Sequence, residues 1–249
     1  MIPGFGAERP RWHTASAQGP RAVNADAVGA FADPATHRVV FALADGVGDD
    51  AGAARAARVA ASAAARTPAE AGPVAAVLAA RRAVLADPGA SDCVLVVAMP
   101  FGNTGGSGYR IAWVGDARAY RWDDRDPAPP RQLTTDHTLA QYFRARHQAT
   151  TPRMEHMVLT SVRTAGDREI GTTELRGDAG LLLTSDGVHK TLAPAAIGEI
   201  LTQPGRAAAA LVETAITLGG TDNATAIVVA AHRRPADATT EAFVSTPAG

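Results

Sequence analysis

The stretch VVFALADGVGDD, residues 39–50, begins with six apolar residues and ends with three aspartates among glycines. A continuous apolar run of this length is typical of a buried strand, and an Asp-Gly pair is a common turn signal. The alanine-dominated run of residues 51–65 that follows predicts a helix. The sequence therefore predicts a core strand that ends at Asp45 and leads into a helix.

The length and composition predict one large domain. With 249 residues, of which 46% are hydrophobic, the chain can bury a sizeable core. Its formal net charge of -1 gives no sign of the basic surface that nucleic acids require. The longest apolar runs fall short of the roughly 20 residues of a membrane span, and the N-terminus lacks the pattern of a secretory signal. We therefore expect no nucleic-acid partner, no membrane span and a cytoplasmic location.

Two residue types occur once each. Cys93, the only cysteine, lies in an apolar run, so we expect a core residue and no disulfide within the chain. Lys190 is the only lysine, whereas arginine and alanine are abundant. This bias indicates the codon usage of a GC-rich genome rather than a function for the lysine.

Periodicity separates helices from strands along the chain. One predicted pair of helices covers residues 51–65 and 68–87, and another covers 193–203 and 205–219. The further predicted strands are residues 93–99, 109–115, 118–123, 179–187 and 223–232. This order fits antiparallel sheets with helices packed outside them better than a doubly wound parallel sheet.

Less regular segments lie at both ends and in the middle of the chain. Residues 1–10 are expected to form a flexible N-terminus and residues 235–249 a disordered tail, with the folded domain at 11–234 between them. From Thr134 to about Met157 the chain is polar and irregular, apart from one or two helical turns in residues 139–147. We expect this middle section to be a mobile flap.

Four aspartates fall at the ends of predicted strands: Asp45, Asp116, Asp186 and Asp222. A buried strand fixes the Cα atom of such a residue, and its short side chain suits a ligand that must be held closely. Each alone is an ordinary turn residue. If the four strand ends meet, however, their carboxylates repel each other unless cations neutralise them. Oxygen ligands without cysteine or histidine favour Mg²⁺ or Mn²⁺ over zinc, and a glycine such as Gly46 lets a backbone carbonyl approach the site.

The segment RAVNADAV, residues 21–28, adds an arginine and a fifth aspartate. Asp26 contributes another carboxylate. In an acidic metal cleft, Arg21 is either a structural counter-charge or the group that grips an anionic substrate group such as phosphate. The residues alone leave both roles open.

Six motifs in order carry a resemblance to a known family. They are RAVNAD (21–26), ADGVGD (44–49), VGDARAY (114–120), QLTTDHT (132–138), LLLTSDG (181–187) and TDNATAIVV (221–229). In order and spacing, from about Arg11 to His232, this series resembles the metal-dependent serine/threonine protein phosphatases of type 2C, the PPM family, in their bacterial form.

The resemblance implies an α+β fold, a four-layer α/β/β/α sandwich in which helices flank two antiparallel sheets. It also implies a site for two Mn²⁺ or Mg²⁺ ions. Asp45 would bridge the two ions, the carbonyl of Gly46 would bind one of them, and Asp186 and Asp222 would complete the shell of the other.

The resemblance gives three further residues a role. Asp26 would hold metal-bound water, Arg21 would grip the substrate phosphate, and Asp116 with Asp186 would form a third, weaker metal site. The implied activity is hydrolysis of phosphoserine and phosphothreonine by direct attack of a water or hydroxide that bridges the metals. The implied partners are phosphorylated proteins, with a serine/threonine kinase or its targets among them.

The resemblance does not assign one residue as the acid that protonates the leaving group. Eukaryotic relatives carry a histidine where this chain has Val47. A metal-bound water is therefore the expected acid, and His137 is expected to be structural.

The chain departs from the family pattern in three places. Ala25 stands where the family usually has an acidic or amide residue, which predicts the loss of one outer interaction with the second metal. Asp49 and Asp50 replace a glycine and a polar residue, and they either alter metal affinity or cap the following helix, with capping favoured. The section from Thr138 to His156 is shorter than the usual flap.

Two alternative functions remain open. One is a phosphatase-like module that binds a phosphoprotein or a kinase without turnover; the presence of Asp45, Asp186 and Asp222 argues against it. The other is a hydrolase of small phosphoesters, which would need a deeper and more enclosed pocket than a phosphoprotein requires.

Overall fold

The computed structural model describes residues 11–32, 38–103, 106–123, 126–203 and 205–231. The expectations for residues 1–10 and 235–249 lie outside the described residues. The strands are β1 Trp12–Ala17, β2 Asp26–Ala32, β3 Val39–Gly46, β4 Cys93–Asn103, β5 Gly106–Val114, β6 Arg118–Asp123, β7 Asp126–Gln132, β8 Gly171–Arg176, β9 Gly180–Thr184 and β10 Ala224–Val229. The helices are α1 Ala51–Ala65, α2 Pro73–Ala86, α3 Leu139–Arg144, α4 Asp186–His189, α5 Pro194–Leu201 and α6 Ala207–Thr217.

The strands form two five-stranded sheets whose pairings are antiparallel. One sheet has the order β1-β10-β9-β6-β7 and the other the order β2-β3-β4-β5-β8. One apolar core lies between the sheets, a second lies under α1 and α2, and a third lies under α5 and α6. The predicted four-layer sandwich is therefore confirmed.

Strand β3 shows why the opening stretch is apolar throughout. Successive side chains of a strand point to opposite faces, and Phe41 and Leu43 pack between the sheets while Ala42 and Ala44 pack under α1. Small residues on the helix side let α1 lie close to the sheet. A Cβ atom added to Gly29 on the neighbouring strand would lie 2.3 Å from the carbonyl oxygen of Ala61.

The two aspartates after β3 have separate structural roles. Asp50 is the N-cap of α1, and its side chain accepts a hydrogen bond from the backbone N–H of Ala53 at 2.8 Å. Capping was favoured for this pair, and for Asp50 it is confirmed. Asp49 instead accepts hydrogen bonds from the backbone N–H groups of Ala22 and Val23, at 3.1 and 3.2 Å. It thereby ties the segment next to Arg21 to the end of β3.

Several elements differ from the sequence prediction. The second helix begins at Pro73 rather than at Pro68, because Gly72 has a φ of 83° and separates it from a 3₁₀ turn at Ala69–Ala71. Strands β1, β2, β7 and β8 were not predicted. Strand β7 has the sequence DPAPPRQ, and its prolines hide it from pattern analysis because they suit only an edge strand. Residues 186–187, predicted as the end of the strand at 179–187, instead begin α4.

The predicted flap contains the expected helical turns. They form α3, whereas the 3₁₀ helix at Pro152–His156 was not predicted. Backbone hydrogen bonds from Leu139 to Met157, and from Leu159 to His137, both 2.8 Å long, fasten the segment at its base. The mobility of the flap stays a prediction. Within the described ranges, no helix has the length and apolar character needed to cross a membrane.

Candidate active site

The strand ends that carry the aspartates meet at one cleft of about 170 Å³. Its lining includes every predicted metal ligand except Asp26, and it also includes Arg21. The lining residues are Arg21, Asp45, Gly46, Val47, Gly48, Val94, Asp116, His156, Val158, Asp186, Lys190 and Asp222. The acids predicted from separate motifs are thus brought together by the fold.

Asp26 lies behind the cleft. It is the direct cross-strand partner of Asp45 in the β2–β3 pair. Its Oδ2 atom accepts a hydrogen bond of 2.7 Å from the hydroxyl of Ser185, while its Oδ1 atom is buried and has no hydrogen-bond partner among the described residues. Burial raises the pKa of Asp26 to about 7, although the hydrogen bond from Ser185 opposes the shift. An orphaned buried carboxylate oxygen at this point indicates a place for a ligand.

The cleft concentrates negative charge. Burial, and after it the nearby charges of Asp26, Asp186, Asp116 and Asp222, raise the pKa of Asp45 well above its ordinary value. Burial is also the first cause of the raised pKa of Asp116 and of Asp222. Carboxylates held this way are stabilised by an added cation, and an all-oxygen set suits a hard divalent ion.

Two glycines of the motifs bring these acids into place. A Cβ atom on Gly187 would lie 2.0 Å from the carbonyl oxygen of Asn223, so only glycine lets the Asp186 turn approach the Asp222 segment this closely. Gly115 has a φ of 83°, and a Cβ atom there would lie 2.0 Å from Cγ1 of Val94. The glycines beside the acids are therefore packing requirements of the site.

Arg21 pairs with an acid of the cleft. Its Nη2 atom donates to Oδ2 of Asp222 at 2.6 Å, and its Nε atom donates to the carbonyl of Thr221 at 3.0 Å. Both partners of the ion pair keep about a third of their side-chain surface exposed, 34% and 33%. Of the two roles left open by the sequence, the structure contains the counter-charge.

A second ion pair explains why two of the motifs occur together. Arg118 of VGDARAY makes a bidentate contact with Asp136 of QLTTDHT, at 2.8 Å through Nε and 2.6 Å through Nη2. The neighbouring His137 packs against Trp113, with 6.0 Å between ring centroids, and burial lowers its pKa. His156, rather than His137, lines the cleft, which agrees with a structural role for His137.

Lys190, whose single occurrence was attributed to codon usage, lies in the lining of the cleft. Its Nζ atom donates to Oδ2 of Asp116 at 2.7 Å, to Oδ2 of Asp186 at 2.9 Å and to the carbonyl of Glu155 at 3.1 Å. Burial would lower the pKa of Lys190, but Asp186 and Asp116 outweigh it and raise the pKa. The signal was present in the sequence, since Lys190 follows Asp186 by four residues, one helical turn.

Ala25, where the first motif departs from the family pattern, is packed away from the cleft. It is 1% exposed and contacts Ala53 and Ala54 of α1. Its backbone N–H donates to Oδ1 of Asn223 at 2.8 Å. A longer side chain here would displace α1, so the alanine belongs to the close helix packing of this chain.

The cleft contains oxygen donors of the kind that hard cations bind. Asp45, Asp186, Asp222 and the carbonyl of Gly46 supply the oxygen donors that a pair of hard cations needs. In the part of the chain that the structure describes, no group of three or more acidic, histidine or cysteine side chains is arranged so that it could hold a metal ion. The carboxylates are instead held by the chain's own cations, Arg21 and Lys190.

A larger cleft of about 330 Å³ lies elsewhere on the molecule. Its lining includes Arg38, Arg66 and Arg110 but only one carboxylate, that of Glu70. It lacks the clustered acids of the smaller cleft, so size does not identify the reactive site here.

Comparisons with known proteins agree with this geometry. No protein-family model and no curated protein matches the sequence. Among solved structures, the catalytic domain of the serine/threonine phosphatase PstP in complex with two manganese ions is 28% identical, with a TM-score of 0.72 over 90% of this chain and 99% of that one. The PPM serine/threonine phosphatase MsPP from Mycobacterium smegmatis, in complex with cacodylate, is 28% identical, with a TM-score of 0.70 over 89% and 98% of the two chains.

A third neighbour extends the agreement in fold. Serine/threonine phosphatase Stp1 from Staphylococcus aureus has a TM-score of 0.75 at 21% identity, over 92% of this chain and 99% of that one. The resemblance to the PPM family is therefore confirmed. The chain has the fold of these solved serine/threonine phosphatases.

Proposed function

We propose that this protein hydrolyses phosphoserine and phosphothreonine in protein substrates and uses two Mn²⁺ or Mg²⁺ ions. The observation that carries the proposal is the convergence of Asp45, Asp186 and Asp222 on one cleft within this fold. The two manganese ions bound by the PstP neighbour support the choice of cofactor.

Four groups would hold the ions: the carboxylates of Asp45, Asp186 and Asp222 and the carbonyl of Gly46. Asp45 is the acid on which the charges of Asp26, Asp186, Asp116 and Asp222 all act, which suits it to bridge. Two bound dications would lower the pKa of water, so that it attacks phosphorus directly, and would neutralise charge on the phosphoryl oxygens.

The chain's own residues complete the proposed chemistry. The unpartnered Oδ1 atom of Asp26 is available to accept a hydrogen bond from the attacking water and so orient it, while Ser185 fixes the other oxygen. Arg21, on the exposed rim, has a planar guanidinium that can grip two oxygens of a phosphate group. Because Arg21 keeps a third of its side chain exposed, substrate can reach it.

The form of the site favours a protein substrate over a small phosphoester. The cleft is small, and Val47 on its rim is 51% exposed. A small molecule held by such a site would keep much of its surface in water, whereas a phosphorylated side chain on a protein can enter from outside. The cleft also keeps Asp45, Asp186 and Asp222, which disfavours a binding module without turnover.

The test is release of phosphate from a phosphothreonine peptide across a Mn²⁺ titration. We expect turnover that requires Mn²⁺ in the wild type and is lost in Asp186→Ala. Asp92→Asn is a matched control, because Asp92 is an acid that hydrogen-bonds Ser161 and Arg163 outside the cleft lining. A wild type that binds Mn²⁺ without turnover would instead favour the binding module, and a preference for small phosphoesters would favour the second alternative.

Two finer features stay predictions from the sequence. One is association with a serine/threonine kinase or its targets, and the other is a cytoplasmic location. Both would follow from a role in reversing protein phosphorylation.

A further inference from the structure

We propose that the ammonium group of Lys190 takes the place of the third metal ion, so that this protein works with two metal ions and a built-in cation. The inference rests on the proposed two-metal function and concerns Asp116 and Asp186, the residues expected to form a third metal site. In the structure these two carboxylates are joined by Lys190.

The contacts of Lys190 match the chemistry of an ammonium ion. A lysine ammonium has three N–H donors and no acceptor. Nζ has three acceptors within 3.1 Å, namely Oδ2 of Asp116, Oδ2 of Asp186 and the carbonyl oxygen of Glu155. All three donors are therefore used.

Burial makes this contact hard to exchange. The side chains of Lys190, Asp116 and Asp186 are 19%, 6% and 15% exposed. The backbone also fixes the lysine, because Lys190 is the C-cap of α4, whose first residue is Asp186. A metal ion at this point would have to displace a cation that is covalently part of the site and lies within hydrogen-bond distance of both acids.

The residue type supports a specific role. The chain has 24 lysine and arginine residues together, and Lys190 is the only lysine among them. An ammonium is a compact point charge with tetrahedral donors, whereas a guanidinium is a planar fork. Three acceptors around one point suit lysine and would not suit the arginine that this chain uses elsewhere.

The contact with Glu155 extends the role of Lys190 to the flap. Glu155 lies in the 3₁₀ helix at Pro152–His156, whose last residue lines the cleft. Its side chain also pairs with Arg144 of α3. Lys190 thus holds the flap against the two acids and is a positioning residue for the cleft wall.

Binding through Lys190 leaves the proposed two-metal centre possible. The lysine contacts Asp186 through Oδ2, and a carboxylate can bind a metal through its other oxygen. Asp45 and Asp222 are not among the acceptors of Nζ. Asp186 would be shared between the ammonium and one metal ion.

The experiment counts Mn²⁺ bound per protein molecule by the electron paramagnetic resonance signal of the free ion. We expect two ions for the wild type and, over the same concentration range, a third and weaker ion for Lys190→Met, which keeps an unbranched chain as far as Cε and lacks the ammonium group. The third ion should be lost again in Lys190→Met/Asp116→Asn. Arg55→Met, which removes an arginine from an ion pair with Asp87 away from the cleft, should keep two.

The outcomes separate the two proposals. Three ions in the wild type, or no gain in Lys190→Met when circular dichroism reports a folded protein, would overturn the assignment of Lys190. Two ions in a wild type without phosphatase activity, with a third gained by Lys190→Met, would support the assignment and overturn the proposed function. A wild type that binds no Mn²⁺ would overturn both.

A second measurement uses the fact that this chain has one lysine. Labelling with ε-¹⁵N lysine gives a single side-chain ammonium signal in NMR. We expect slow exchange of its protons with water, both without metal and at saturating Mg²⁺. Fast exchange at saturating Mg²⁺, as in free lysine, would mean that a metal displaces the ammonium and would overturn the inference.

Discussion

Asp26 and Asp45 lie directly opposite each other on the antiparallel strands β2 and β3. Like charges at such positions destabilise a sheet, and both residues are also buried enough for burial to be the first cause of their raised pKa values. The fold therefore carries an electrostatic cost at the place where the proposed chemistry occurs, as active sites often do.

Asp26→Asn tests this cost. The asparagine removes one charge but keeps an oxygen that can accept the hydrogen bond from Ser185. At pH 8 and without metal, we expect the free energy of unfolding to rise by about 2 kcal/mol, which corresponds to roughly 4–8 °C in Tm for a chain of this size. Turnover with Mn²⁺ should fall, because Asn cannot orient water as a carboxylate does. Thermal unfolding measures the rise in Tm, and phosphate release measures the fall in turnover. A Tm lower than that of the wild type would contradict the expected electrostatic cost.

The Arg118–Asp136 pair should contribute to stability rather than to chemistry. Its side chains are 20% and 6% exposed, so Arg118→Met leaves a buried carboxylate without its partner. We expect a loss of about 3 kcal/mol in urea unfolding. The double variant Arg118→Met/Asp136→Leu should lose less than the sum of the single changes. Arg55→Met, at an exposed ion pair, should change stability little. Additive losses at Arg118 and Asp136 would exclude their coupling.

Arg21→Ala should separate substrate binding from metal binding. Arg21 contacts Asp222 and lies on the rim of the cleft. If it also grips phosphate, its removal should raise KM for the phosphopeptide by about tenfold. The affinity for Mn²⁺ should change less, because the variant keeps the oxygens of Asp222. Steady-state kinetics and Mn²⁺ titration check this together, and an unchanged KM would remove Arg21 from substrate binding.

His189 should give the protein a stability that depends on pH. Burial, and after it the charges of Arg118 and Lys190, lower the pKa of His189 well below its ordinary value of 6.5. Its Nδ1 atom shares a hydrogen bond of 2.8 Å with the hydroxyl of Thr184. Because the pKa of His189 is lower in the folded than in the unfolded protein, its contribution to the free energy of unfolding is complete only above the unfolded pKa. That stability is lost as the pH falls below 6.5.

The variant His189→Asn isolates this effect, because Asn retains a polar atom near the position of Nδ1 and does not titrate in this range. Between pH 7.0 and 5.5 the wild type should lose about 1.2 kcal/mol more than the variant. Denaturant unfolding at the two pH values measures the difference. Equal pH dependence in the two proteins would mean that His189 is not held neutral.

The core elements could be predicted from the sequence because their periodicity is strong. Helix α1 and strand β6 were predicted with the bounds that the structure has, Ala51–Ala65 and Arg118–Asp123. Strands β1 and β8 are half exposed with mixed side chains, and they pair with β10 and β5, which lie far away in the chain. Strand β7 pairs with the preceding strand β6, but its prolines hide it. Tertiary context decides such strands.

The residues of the site also differ in how far the sequence predicts them. The acids could be found because Asp45, Asp186 and Asp222 sit at the ends of strong apolar runs. Ser185 could not be separated from an ordinary turn residue, since its role depends on contact with Asp26 from another sheet. Lys190 could have been noticed from its spacing to Asp186, but only the structure shows that Asp116 reaches the same ammonium group.

We propose that β3 delivers Asp45 as the bridging ligand of a two-metal phosphatase centre. The most direct measurement compares wild type and Asp45→Asn for Mn²⁺-dependent phosphate release from a phosphothreonine peptide, with thermal unfolding recorded with and without Mn²⁺. We predict that the variant folds, unfolds at a higher temperature than the wild type without metal, gains nothing in Tm from Mn²⁺ and loses turnover by about 100-fold or more. Turnover at the wild-type rate in Asp45→Asn, with the Mn²⁺-dependent rise in Tm retained, would contradict the account.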